Sequence, residues 1–203
     1  YGPGNSCVGY NALLNITSGW DNAAIGVGAL RETTTGGGNT AMGTESLLSN
    51  TDGNFGTAIG YQAARAATTG SFNSAIGYQS LYANTTGSYN VTIGAGAGVA
   101  TNGGNFNVVV GWNALSSNTT GSNNTIIGNA AGTGIVTGWQ NTIIGSGITG
   151  TSGMIDTVII GSHNAVRLMV DADGDTTFYG QVATASIPEA DSDLTNKLYT
   201  DAA

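Results

Sequence analysis

An all-β solenoid is the fold class this sequence predicts, and three observations carry it. Glycines that close short apolar runs recur every 17 residues, at Gly9, Gly26, Gly43, Gly60, Gly77, Gly94, Gly111, Gly128 and Gly145, with Gly161 following after 16. Glycine accounts for 34 of 203 residues, yet there are only two prolines, so the collagen pattern is excluded. Each unit offers one β-leaning run and a polar Asn-Thr-Thr-Gly turn, too little for the paired helices of helical repeats. The expectation is a β-roll of about ten 17-residue coils over residues 1–162, stacked at the β-strand spacing.

Within a coil, each position has a structural reason. A second glycine stands seven residues before each of the first nine, from Gly2 and Gly19 to Gly121 and Gly138. Glycine supplies positive φ at corners, and Asn tolerates the same region while bonding nearby backbone. Four residues before the anchor glycine stand Asn5, Asn22, Asn39, Asn73, Asn90, Asn107, Asn124 and Asn141, with Gly56 the exception. Coil stacking places these one above another, which predicts an Asn ladder. The strand run ends just before the glycine in Val8, Ile25, Met42, Ile59, Ile76, Ile93, Val110, Ile127 and Ile144.

Alternation separates the strand into two faces. The face carrying the Ile file is expected inside the coil. The other carries Cys7, Ala24, Ala41, Ala58, Ala75, Thr92, Val109, Ile126, Ile143 and Ile159, never charged and growing more apolar along the chain. A continuous exposed apolar stripe is an association surface, so this second file is expected to face a neighbouring chain in a side-by-side homotrimer.

The C-terminal part departs from the repeat. Asp171 to Asp175 reads as a polar turn between apolar runs, giving a strand-turn-strand module over residues 163–185. Pro188 breaks structure, and Ser192 or Asp193 can cap a short helix carrying Leu194 and Leu198, so 186–203 reads as a linker and the start of a helix. The chain opens inside the repeat, at Tyr1-Gly2, and any targeting segment is expected to lie outside it.

Composition excludes several functions. A formal charge of −8 argues against nucleic acid as a partner. One Cys and one His leave neither a Cys/His zinc site nor a disulfide framework within one chain. No apolar run reaches membrane-spanning length. Asp171-Ala172-Asp173-Gly174-Asp175 lacks the glycine and the final carboxylate of an EF-hand loop at the required spacing, so a hairpin turn is expected and no bound metal or cofactor. His163 has no nucleophile at a telling spacing. Asp21, Glu32, Glu45, Asp52 and Asp156 form no recurring carboxylate pair of the kind glycoside cleavage needs, so no enzymatic activity is expected. The Asn-x-Thr sequons are a by-product of an Asn- and Thr-rich repeat.

Units such as Asn73-Ser74-Ala75-Ile76-Gly77-Tyr78 and Asn22-Ala23-Ala24-Ile25-Gly26 resemble the head repeats of YadA-like trimeric adhesins. Similar longer repeats occur in phage tail fibres and in tail-fibre-like surface proteins of predatory bacteria. Residues 167–180 look like the short strand-turn-strand of those fibres, and 191–201 look like the Asp-x-x-Thr-Asn-Lys-x-Tyr-x-Asp box that joins fibre modules. The resemblance implies a parallel homotrimer and an extracellular, non-catalytic adhesive segment on a virion tail fibre or bacterial surface. Its partners would be a cell-surface glycan or an outer-membrane receptor, with no insertion into the membrane. The alternative is the head of a bacterial trimeric autotransporter adhesin.

Two aromatic files complete the candidates. Phe55, Phe72, Tyr89 and Phe106 stand five residues before the anchor glycine, and Tyr10, Tyr61, Tyr78 and Trp112 just after it. The second file supplies candidate surface contacts to sugars, although stacked rings also cover corners or fill subunit contacts. Thr17, Thr34, Thr51, Thr68, Thr85 and Thr119 recur at one position, leaving an ice-binding array as a minor alternative.

Overall fold

The structure, a computed structural model, describes residues 2–162 and 165–178. It is all-β, with no helix among the described residues. Twelve strands follow one another in a single sheet in sequence order. They are β1 (Ser6–Val8), β2 (Ala23–Ile25), β3 (Thr40–Met42), β4 (Thr57–Ile59), β5 (Ser74–Ile76), β6 (Val91–Ile93), β7 (Val108–Val110), β8 (Thr125–Ile127), β9 (Thr142–Ile144), β10 (Val158–Ser162), β11 (Ala165–Val170) and β12 (Thr176–Phe178). Strands β1 to β10 pair in parallel with every anchor position in register, Ala24 on Ala41 on Ala58 and so on. A parallel pair needs a crossover, and here the crossover is the rest of the coil. The result is a β-solenoid of about nine turns.

The corner after each strand explains the 17-residue glycine. Gly77 has φ +132°, and a Cβ there would stand 2.7 Å from the carbonyl carbon and oxygen of Gly94 in the next coil. Gly9 through Gly145 share this conformation, with φ between +132° and +141°. Gly161 does not belong with them. It lies inside β10, where the pairing with β11 shifts register between Ile160 and Gly161. The sixteen-residue slip therefore marks the end of the corner series.

The opposite wall was not legible as strand. Leu30, Leu47, Leu81 and Leu115 adopt left-handed backbone, φ +48° to +54°, yet their amides donate to the next coil as in a ladder: Leu30 N–H to Ser46 O at 3.1 Å and Leu81 N–H to Ala97 O at 2.9 Å. Stacking here overrides a local penalty of about 1–2 kcal/mol per residue.

The core lies between the two walls, and its lining corrects the expected face assignment. Ala24, Ala41, Ala58, Ala75, Val109, Ile126 and Ile143 have no exposed surface, Thr92 is 1% exposed and Ile159 6%. These residues fill the coil interior of the single chain; they do not face a neighbour. Cys7 is exposed because β1 is the end strand. The Ile file points outward instead, from Ile25 to Ile160, at roughly two-fifths exposure. Alternation was correct, but its polarity was reversed. The physical reason is width: the leucines of the opposite wall reach across the coil, leaving room for Ala. Where that wall carries glycine, the strand residue enlarges. A Cβ on Gly132 would meet Ile126 Cγ2 at 3.2 Å, and one on Gly98 would meet Thr92 Cγ2 at 3.2 Å. In these two coils the larger strand residue fills space that a leucine takes elsewhere, as a close-packed core requires, whereas Val109 with Leu115 and Ala58 with Ala64 do not follow that exchange.

Beyond the coils, β11 and β12 form an antiparallel hairpin on the sheet, Val170 opposite Thr176. Its turn is held by Asp171, whose Oδ1 accepts from the amides of Asp173 and Asp175. Val166 and Met169 pack against the last core residues, covering part of an end that a solenoid must protect. The expected helix around Leu194 and Leu198, like His163, lies outside the described residues.

Candidate functional site

Three longitudinal features mark the solenoid: a buried polar ladder, an outward aliphatic stripe along its whole length, and two aromatic rows beside the middle of that stripe.

The Asn ladder is built as the repeat predicts. Asn107 donates from its backbone amide and from Nδ2 to Asn90 Oδ1, each at 3.0 Å, and from Nδ2 to Gly121 O at 2.9 Å. Its own Oδ1 accepts from the amide and Nδ2 of Asn124. Every polar atom of the buried amide is therefore satisfied, as burial requires. The same pattern links Asn5, Asn22 and Asn39. At Gly56 the side chain is missing, and the Gly56 amide caps Asn39 Oδ1 at 2.7 Å. A new run starts at Asn73 and ends on the Thr157 amide.

A second ladder escaped the sequence reading. Asn54, Ser71, Ser88, Asn105 and Ser122, at one coil position, each accept the backbone amide of the preceding coil through the side chain. The signal was the 17-residue recurrence of Ser and Asn two positions before the Asn ladder. Alternation of residue type hid it.

The Thr file is spent within the protein. Thr17, Thr34, Thr51, Thr68 and Thr119 donate their hydroxyls to the carbonyl of the next coil. Thr85 donates to the Asn102 side chain.

On the strand face, Val8, Ile25, Met42, Ile59, Ile76, Ile93, Val110, Ile127, Ile144 and Ile160 form one continuous stripe, with nine of the ten exposed. Two aromatic rows border it. Phe55, Phe72, Tyr89 and Phe106 stack at centroid distances of 4.9–5.1 Å, all near-parallel. Trp20 extends the row, its ring edge-on to Phe55 at 5.6 Å. Its indole lies over Gly37, where a side chain would collide with it. In the other row Tyr61 and Tyr78 stack at 5.7 Å, while Tyr10 and Trp112 stand apart. In the stacked stretches the ring faces cover one another and edges point outward, which removes the flat platform that sugar stacking uses.

The carboxylates serve local pairing. Arg65 Nε contacts Glu45 Oε2 at 2.8 Å and Gln62 donates to the same oxygen; the Arg65 hydrogen bond foremost holds Glu45 below its usual range. Glu32 is lowered chiefly by Arg31, and Asp52 by the Thr35 hydroxyl. Asp171 and Asp173 rim an open groove at the C-terminal end, floored by Ile148, Met154, Val166 and Met169. Among the described residues no group of three His, Cys, Asp or Glu is arranged to hold a metal ion. Comparison with known proteins returns no matching family model, no matching curated protein and no matching solved structure.

Proposed function

We propose that this chain is a non-catalytic segment of a trimeric attachment fibre, displayed outside the cell on a virion tail fibre or a bacterial surface. One observation carries the reading: a stack of coils bears an unbroken, uncharged aliphatic stripe along its strand face. An isolated rod does not keep such a stripe in water, because contiguous exposed apolar area marks an association surface. Parallel copies of a rod bury it along their whole length. Within the described coils no charge interrupts the band from the first aromatic row to the second except Asp21 and Asp156; Arg31, Glu32, Glu45, Asp52 and Arg65 lie beyond it.

The function follows from shape. A coil stack converts sequence length into reach, about 43 Å for nine intervals at ~4.8 Å each. Repetition and threefold copying present equal weak contacts whose avidity replaces a deep pocket. The head of a trimeric autotransporter adhesin would use the same physics.

Sedimentation analysis tests the assembly: the expected mass is three times the 20.2 kDa chain, and a stable monomer overturns the reading. A glycan array and whole-cell pull-down test attachment. Binding to a defined glycan or cell surface is expected, and uniform failure would leave a shaft with no adhesive role.

A further inference from the structure

The two aromatic rows occupy opposite borders of the same strand face, coil by coil. Phe55 and Tyr61 bracket β4, Phe72 and Tyr78 bracket β5, Tyr89 and Ala95 bracket β6, and Phe106 and Trp112 bracket β7. All seven rings are about half exposed, although each sits on rigid, hydrogen-bonded backbone. Phe55, Phe72, Tyr89 and Phe106 occupy left-handed corners, φ +55° to +60°, that glycine would hold with less strain. Among the described residues nothing packs on these outward edges.

We infer that the two rows are the mating edges of the assembly, the first row of one copy packing on the second row of the next. This rests on the trimeric reading above. Rotation about a threefold axis makes every subunit contact heterologous, so unlike borders must meet. The copies are related by rotation about an axis along the rod, so equal coils lie at equal height. Phe55 then meets Tyr61 of the next copy, Phe72 meets Tyr78, and Phe106 meets Trp112. Tyr89, the longest ring of its row, meets Ala95, the smallest residue of the other, so bulk is matched across the contact. With the aliphatic stripe between them, the rows offer on the order of 1,000 Å² per copy, comparable to what each partner buries in a stable interface.

Cross-linking of the full chain tests this, in a Cys7→Ser background so that the lone native thiol is silent. Phe72→Cys/Tyr78→Cys is treated with a short bis-maleimide and run on denaturing gels, beside each single variant and Ile76→Cys. Heterologous mating closes a covalent ring, so the double variant is expected as a trimer band holding most of the protein, while the Phe72→Cys and Tyr78→Cys singles stay monomeric. Cross-linking in either single variant overturns the inference, because like borders would then meet. If sedimentation shows a trimer and Ile76→Cys yields dimers while the double variant yields none, the mating edges are wrong and the trimer stands. A parent protein that sediments as a monomer overturns both.

Discussion

Gly77 shows how much one missing methyl group decides. With φ +132° and the Gly94 carbonyl 2.7 Å from the site of a Cβ, Gly77→Val meets backbone strain and a collision together. It should cost at least about 2 kcal/mol, read as a lowered urea midpoint. Gly153→Ala, with open space around the added atom, should stay within about 0.5 kcal/mol. Equal effects at the two positions would refute the corner argument. Asn107→Leu removes the acceptor for two donors of Asn124 and the Nδ2 bonds to Asn90 and Gly121; orphaned buried donors should cost about 2–4 kcal/mol. The acidic groups act more weakly. Glu32, Glu45 and Asp52 are all held below their usual range, so the stability they contribute is present above about pH 4.5 and is lost as pH falls through their depressed folded values. Stability should be flat from neutral pH to about 5 and decline only below it, by a small amount because these groups lie at the surface.

At the scale of the strand, the two faces give opposite phenotypes. Ile126 and Ile143 are fully buried in the coil, so Ile126→Asp strands a charge in the core and should unfold the chain, lost by circular dichroism. Ile76→Asp and Ile93→Asp, on the outward stripe, should leave the spectrum and monomer fold intact while abolishing the trimer in sedimentation. The reverse pattern would restore the face assignment that the sequence alone suggested. Strand positions, anchor corners and the Asn ladder were legible because each recurs at a fixed interval with one residue type. The polarity of the strand was not, because Ile outside and Ala inside contradict the usual sorting by size. The leucines of the opposite wall explain it: Leu13, Leu30, Leu47, Leu81 and Leu115 recur at multiples of 17 residues, but their left-handed backbone hides that they form a wall facing the strand. The Ser and Asn ladder at Asn54 to Ser122 was hidden for a related reason: the backbone there needs any short side-chain acceptor, and the sequence alternates between two.

For the whole molecule, the solenoid is a nearly one-dimensional object in which each coil is stabilised by its neighbours. Central coils have two, whereas β1 has one and all three of its residues are exposed. Hydrogen exchange should therefore be fastest in β1 and slowest from β4 to β8, and uniform protection would contradict nearest-neighbour stacking. The expectation of an adhesive fibre was drawn from the resemblance, while the outward stripe supports assembly from the geometry alone.

The volume compensation between the walls also bears on how such a protein changes length over generations. Thr92 and Gly98, or Ile126 and Gly132, lie six positions apart within one unit, so these coils carry both halves of that pairing, although Gly98 and Gly132 also lie near Leu81 and Leu115 of the preceding coil. An in-frame duplication or loss of seventeen codons therefore moves one whole layer. It keeps every ladder in phase and alters reach by one strand spacing, about 4.8 Å. Recombination between repeats would thus act as a length adjustment, with repacking confined to the coils that meet at the junction.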